Sequence, residues 1–148
     1  MIPAAQIQDP EVREMANEAE SFIESHRWCT RVASVELAWA AAGVLGVFQV
    51  RLVPARPTVD EVLWVVVGDL PTAYLVQDDA PTWREALTGY IYEMSKWVSA
   101  VKQGDSLDEI IPVEAEPTLE HAQMLESRLT FIEQNILGAT DEELGCDV

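Results

Sequence analysis

The chain has 148 residues, 49% of them hydrophobic, and its 26 Asp and Glu against 9 Lys and Arg leave a net charge of −17. This length and composition suit one folded domain with a sizeable core and are too apolar for a disordered chain. The charge argues against non-specific nucleic-acid binding and against docking on an anionic membrane, since both need clustered cations.

Met1 to Pro10 has neither the basic start nor the apolar core of a signal peptide. Asp9-Pro10-Glu11 is a helix start: Asp caps, Pro at the first helical position lacks an N–H that would be unpaired anyway, and Glu favours the positive end of the dipole. Val12, Met15, Ala19, Phe22, Ile23 and His26 then recur at helical spacing, with Glu14, Glu18, Ser21 and Ser25 on the other side. From Arg31 to Ala42, Val32, Val35, Trp39 and Ala42 fit a second helix, with Gly43 as its C-cap.

After Gly46 the period changes to two. Phe48, Val50 and Leu52 alternate with Gln49 and Arg51, and Pro54 and Pro57 end the strand. Glu61 to Val67 is β-branched, aromatic and apolar on both faces, as a central strand is. Gly68-Asp69-Leu70-Pro71-Thr72 is a turn, and Ala73 to Val76 a short third strand. The short links favour antiparallel neighbours. Thr82 and Glu85 have the spacing of a capping box. The helix they open carries one apolar face from Trp83 through Leu87, Tyr90, Met94 and Trp97 to Val101, and ends at Gly104. Ser106 to Glu109 is a candidate helical turn before Pro112. A last helix starts near Thr118, with Ala122, Leu125, Leu129, Ile132 and Ile136 as a narrow apolar seam.

The expected architecture is therefore α+β, in the order α-α-β-β-β-α-α: a small three-stranded antiparallel sheet packed by helices. Residues 1–137 form a single domain and 138–148 an acidic tail. Such a sheet leaves two edges and a face to be covered by a helix or by a second copy, so a homodimer is an expectation.

From Leu63 to Leu87 the chain resembles a family of small uncharacterised bacterial proteins, a domain of unknown function. The residues that carry the resemblance are Trp64, then Gly68, Asp69, Leu70, Pro71 and Thr72, then Tyr74, Asp78 and Asp79, with a helix from Trp83. In that pattern an acidic residue often precedes the Tyr; here the position is Ala73. The resemblance implies the fold and brings no activity with it.

The seven glycines have no spacing that makes a phosphate loop or a dinucleotide fingerprint, and no Gly-x-Ser-x-Gly elbow occurs. Cys29, Cys146, His26 and His121 are too scattered for a zinc site, so neither metal nor cofactor is expected. Cys29 reads as a small core residue and both histidines as structural. If strands two and three pair directly, Asp69 and the Asp78–Asp79 pair sit at opposite ends of the sheet, too far apart to share a metal. Asp69, Tyr74, Asp78 and Arg84 remain the candidates for a small-ligand or enzymatic site, although nothing among them pairs a nucleophile with a base.

The charge is uneven. Residues 1–30 carry six acids and two bases, residues 31–104 eight and six, and residues 105–148 twelve and one, Arg128. A stretch that cannot neutralise itself is either a solubilising surface or faces a basic partner. The expectation is a non-enzymatic, cytoplasmic protein-binding module of immunity/inhibitor or secretion-chaperone type. Asp108, Glu109, Glu114, Glu116 and Glu120 are its partner-binding residues, and the chaperone version uses an apolar groove on the free face of the sheet. The alternatives are the small-ligand site and a structural homodimer whose charge serves only solubility.

Overall fold

The computed structural model describes residues 1–113 and 115–140; Glu114, Cys146 and the rest of 141–148 lie outside the described residues, as does the Asp79 side chain. The chain divides into two compact units, Met1–Ala86 and the part from Leu87 onward.

The first unit is built on one antiparallel sheet of five strands in sequential order: β1 (Ile2–Pro3), β2 (Cys29–Ala41), β3 (Leu45–Pro54), β4 (Val62–Gly68) and β5 (Ala73–Val76). One helix, α1 (Pro10–Glu24), separates β1 from β2. Asp9 caps it as its position predicts, its carboxylate accepting from the N–H groups of Glu11 and Val12 at 2.8 and 3.2 Å. Val12, Met15, Ala16, Ala19 and Ile23 are buried with Val35, Leu37, Phe48, Val50, Leu63 and Val65 in one apolar core. The ladders agree: Leu37 pairs with Phe48 and Phe48 with Val65, so all three point to the α1 side.

Two expectations are corrected here. The sheet has five strands rather than three, and the order is β-α-β-β-β-β-α-α rather than α-α-β-β-β-α-α. The errors come from two segments: Ile2–Pro3, which forms the edge strand β1, and Arg31–Ala42, which is not a helix but most of the 13-residue strand β2. Its ladder with β3 shifts register between Cys29 and Arg31, between Val32 and Ser34, and between Leu37 and Trp39. Each bulge inserts one residue and reverses which face the following side chains take. The period of two is broken at those points, and Val32, Val35 and Trp39 fall at the three- and four-residue steps of a helix. Gly43, at φ +73°, is accordingly a residue of the β2–β3 turn and not a helix cap.

The bulge at Ala38 has a further consequence. Trp39 pairs with Val47, and Val47 with Val66, so Trp39 lies on the side away from Leu37. There its ring stacks on Trp83 at 5.2 Å and 8°, and the Arg84 guanidinium lies 4.8 Å over Trp83. Trp64 is on the same side, and its indole N–H donates to the Ala80 carbonyl at 2.6 Å. Val47, Trp64 and Val66 are all buried, so β3 and β4 are dry on both faces and supply no bare apolar groove.

The second unit holds most of α2 (Trp83–Gln103), then α3 (Leu119–Ile132) and a wider π turn over Glu133–Leu137. The Glu85 N–H reaches the Thr82 hydroxyl at 3.3 Å, the Thr half of the expected capping box, and the last helix starts where expected, with the His121 N–H on the Thr118 hydroxyl at 3.2 Å. Ala122, Leu125, Leu129, Ile132 and Ile136 are buried, as their spacing requires. Residues 106–109 bend without forming a helix. No helix among the described residues is long and apolar enough to cross a membrane.

Gly68 closes β4 at φ +144°, where a Cβ would run into the Val44 carbonyl and Leu45 Cα. Gly68→Ala should therefore destabilise the chain by about 2 kcal/mol or more, as strain and overlap add. A urea titration followed by circular dichroism reads this as a lower midpoint at unchanged slope.

Candidate functional site

Two pairs among the four candidate ligand residues are separated: Asp69 from Asp78 along β4, and Tyr74 from Arg84 across the sheet. Asp69 follows Gly68 at the β4–β5 turn, where its N–H donates to the Val44 carbonyl at 3.0 Å. Asp78 follows β5 at the other end: Leu63 pairs with Val76 and Val66 with Ala73, so most of β4 lies between the two acids. At about 3.4 Å per residue the five steps from Leu63 to Gly68 span about 17 Å. The expected separation of Asp69 from Asp78 is thus present. Arg84 lies with Trp83 on the Trp39 side of the sheet, and Tyr74, paired with Val65, is on the α1 side.

Two of the four acquire neighbours that the sequence did not announce. Asp78 borders an open depression of about 500 Å³ with Asp60, Glu61, Val62, Gln77 and Pro81. Its carboxylates do not converge: among the described residues no three His, Cys, Asp or Glu side chains are placed to hold a metal ion. Tyr74 joins Phe22, His26 and Trp28 in a four-ring group. His26 lies 4.6 Å from Trp28 at 30°, 5.4 Å from Tyr74 edge-on and 4.9 Å from Phe22 edge-on. Its Nδ1 is 2.7 Å from the Phe22 carbonyl oxygen, which it reaches as a donor in the Nδ1–H tautomer. β2 and β5 are three strand spacings apart, about 14 Å, and the rings of Trp28 and Tyr74 lean together across that distance to 5.2 Å. The rings pack on one another, with Tyr74 exposed at 37% and the other three half-buried. They cluster at the C-terminal end of α1 with edge-to-face geometry of the kind aromatic pairs prefer.

Close to this group, burial pushes the Cys29 thiol above its ordinary value, and the Glu24 carboxylate adds to the shift. A thiol held protonated in this way is a poor nucleophile and a poor metal ligand. Glu20 is also raised, first by burial and then by the charge and hydrogen bond of Glu24 one turn on. Tyr90 in α2 is fully buried, and burial pushes its phenol far above the ordinary range. None of the three has the lowered pKa of an activated nucleophile.

The partner-binding candidates are arranged differently. Asp108, Glu109, Glu116 and Glu120 are all exposed, as is Asp105, in the segment joining α2 to α3 and in the first turn of α3. Glu114 lies outside the described residues. None of these five described carboxylates takes part in an ion pair; the ion pairs formed nearby are Lys96–Glu93 at 3.0 Å and Lys102–Glu126 at 2.7 Å. The Glu120 backbone lies in the first turn of α3, where an acid is favoured by the helix dipole, which is a structural reason for one member of the set.

Between α2 and α3 runs a groove of about 230 Å³ with an apolar floor of Ile91, Val98 and Leu129, and with Ser95, Ser99, Thr130, Glu126 and Glu133 on its walls. Sequence reasoning missed it. The two glutamates sit among solvated positions beside the apolar seam, and their spacing of seven residues is the one signal that places them on the same stripe.

Comparison of the chain with protein-family models, with curated proteins and with solved structures returns no match.

Glu20 and Glu24 give a pH prediction. Glu20 is raised in the fold, so the folded chain holds that proton more tightly than the unfolded one. The stabilisation is full below the unfolded value and is lost as pH rises through the folded value. Above it the ionised pair costs about 0.2–0.5 kcal/mol, as like charges one helical turn apart do. Glu20→Gln should raise the thermal midpoint at pH 7 and leave it unchanged below pH 4, as scanning calorimetry at the two pH values would show.

Proposed function

We propose that the chain is a non-enzymatic, cytoplasmic protein-binding module that offers the acidic segment Asp108–Glu120 to a basic surface on another protein. The observation that carries this reading is the exposure of Asp105, Asp108, Glu109, Glu116 and Glu120 with no intramolecular ion pair to any of them among the described residues. Charges that stabilise a fold are usually paired or capping. Apart from Glu120, these acids make no such contribution, and their mutual repulsion is relieved when cations from a partner come between them. Like-signed rim charges of this kind steer encounter and speed association more than they add to affinity.

Of the two forms such a module takes, the inhibitor-like form is favoured. A chaperone that cradles apolar segments needs an open apolar face, whereas β3 and β4 are buried on both sides. An immunity or inhibitor protein needs only a charged surface on a stable scaffold. The separation of Asp69 from Asp78, and of Tyr74 from Arg84, weighs against a small-molecule reaction that uses all four, because a site must hold its groups within reach of one reacting atom.

The test is a fourfold variant, Asp108→Asn, Glu109→Gln, Glu116→Gln and Glu120→Gln, compared with the parent as bait in a lysate of its own source. The parent should retain one basic protein, released by raising salt from 50 to 300 mM. The variant should keep its thermal midpoint within about 2 °C and retain at least tenfold less. Equal capture by both chains would defeat the proposal.

A further inference from the structure

We propose that the α2–α3 groove seats a lysine side chain of the basic partner protein, its aliphatic stem on Leu129 and Val98 and its ammonium at Glu133. This rests on the partner-binding reading above and names the contact that would anchor it.

The groove has the chemistry that a lysine side chain needs. Its floor is apolar, its walls carry hydroxyls that accept hydrogen bonds, and two carboxylates stand on one wall. A long cationic side chain is stable in such a place because its methylenes cover apolar surface while the head stays among polar groups. The geometry follows from helix periodicity. Glu126, Leu129, Thr130 and Glu133 are at i, i+3, i+4 and i+7, one stripe of α3 and its π turn. Over seven residues the two carboxylates are about 10 Å apart along the axis, room for two ammonium groups rather than one.

One of the two positions is already filled by the chain itself. The Lys102 ammonium, from the end of α2, donates to Glu126 at 2.7 Å. Both side chains of this pair remain partly exposed, at 34% and 55%, so the contact is one that solvent and a competitor can reach. It shows that a primary ammonium is accommodated beside this groove. Glu133, exposed at the start of the π turn and in no ion pair among the described residues, is the carboxylate that would take a second cation. A turn of this kind is uncommon and often lies at a functional site. Lys102 is then a placeholder: it neutralises Glu126 and leaves the Glu133 end of the groove to a single incoming lysine.

The experiment uses the full chain labelled with ¹⁵N and titrated with a capped hexalysine peptide, with a hexanorleucine-containing peptide of equal length as the uncharged control. The expected amide shifts fall on Ser95, Ser99, Thr130 and Glu133. Glu133→Gln should weaken the dissociation constant about fivefold or more. Lys102→Met should tighten it about two- to fivefold, the range set by loss of an exposed ion pair that competes for the same wall. Glu18→Gln, an exposed position on α1 with the same loss of charge, should leave it within twofold. Shifts confined to residues 105–120, insensitive to Glu133→Gln, would overturn the groove assignment and leave the acidic-segment proposal standing. Absence of shifts in both regions would overturn both. A Lys102→Met chain that binds no tighter would overturn the placeholder role.

Discussion

Between Leu45 and Val50 of β3 six consecutive residues are buried, and between Leu63 and Val67 of β4 five are. Two adjacent strands dry on both faces cannot exist alone, since every side chain on each face must find cover and every backbone polar group a ladder partner. The rest of the Met1–Ala86 unit answers that requirement. On one face α1 lays down Val12, Met15, Ala19 and Ile23. Along the ladders β2 and β5 take up the outer hydrogen bonds. On the other face Trp39, Trp64 and Trp83 bury most of their ring area, and the one indole N–H that is deepest in the layer, that of Trp64, is satisfied by the Ala80 carbonyl. The polar residue within this dry pair of strands, Gln49, is 6% exposed.

That scaffold uses up the features that would otherwise suggest chemistry. The aromatic group of Phe22, His26, Trp28 and Tyr74 packs against itself, and its one imidazole is tied by Nδ1 to a carbonyl. Cys29 is buried with its proton held on. Asp69 is separated from Asp78 by most of β4. What is left unspent is charge in the segment after α2 and along one wall of the α2–α3 groove.

Local signals were read correctly where the physics is local. Asp9, Thr82 and Thr118 cap helices because a side-chain oxygen three residues or fewer from an orphan N–H needs no tertiary help. The run around Trp64 is a central strand because an all-apolar, β-branched segment of seven residues has few other homes. The segment from Arg31 to Ala42 has helical spacing without being a helix for an equally physical reason. A bulge costs one residue of register, and three bulges in one strand turn a period of two into something near a period of 3.6. The groove was invisible because it belongs to no single element: its wall residues are ordinary exposed positions on two helices separated by 15 residues of chain.

The amino-acid sequence by itself determined the α+β class, the helix starts, the apolar seam of α3, the antiparallel β4–β5 hairpin and the concentration of acid after residue 104. These depend on interactions within one turn or between neighbouring strands. The tertiary structure alone decided that β2 is a strand, that Trp39 crosses to the face of Trp83, that Tyr74 joins the rings of Phe22, His26 and Trp28, and that Glu126 and Glu133 overlook a shared groove. Each of these is settled by which side of an element a residue occupies once its neighbours are packed. That choice is made by register and burial across the sheet and between α2 and α3, and no window along the chain contains it.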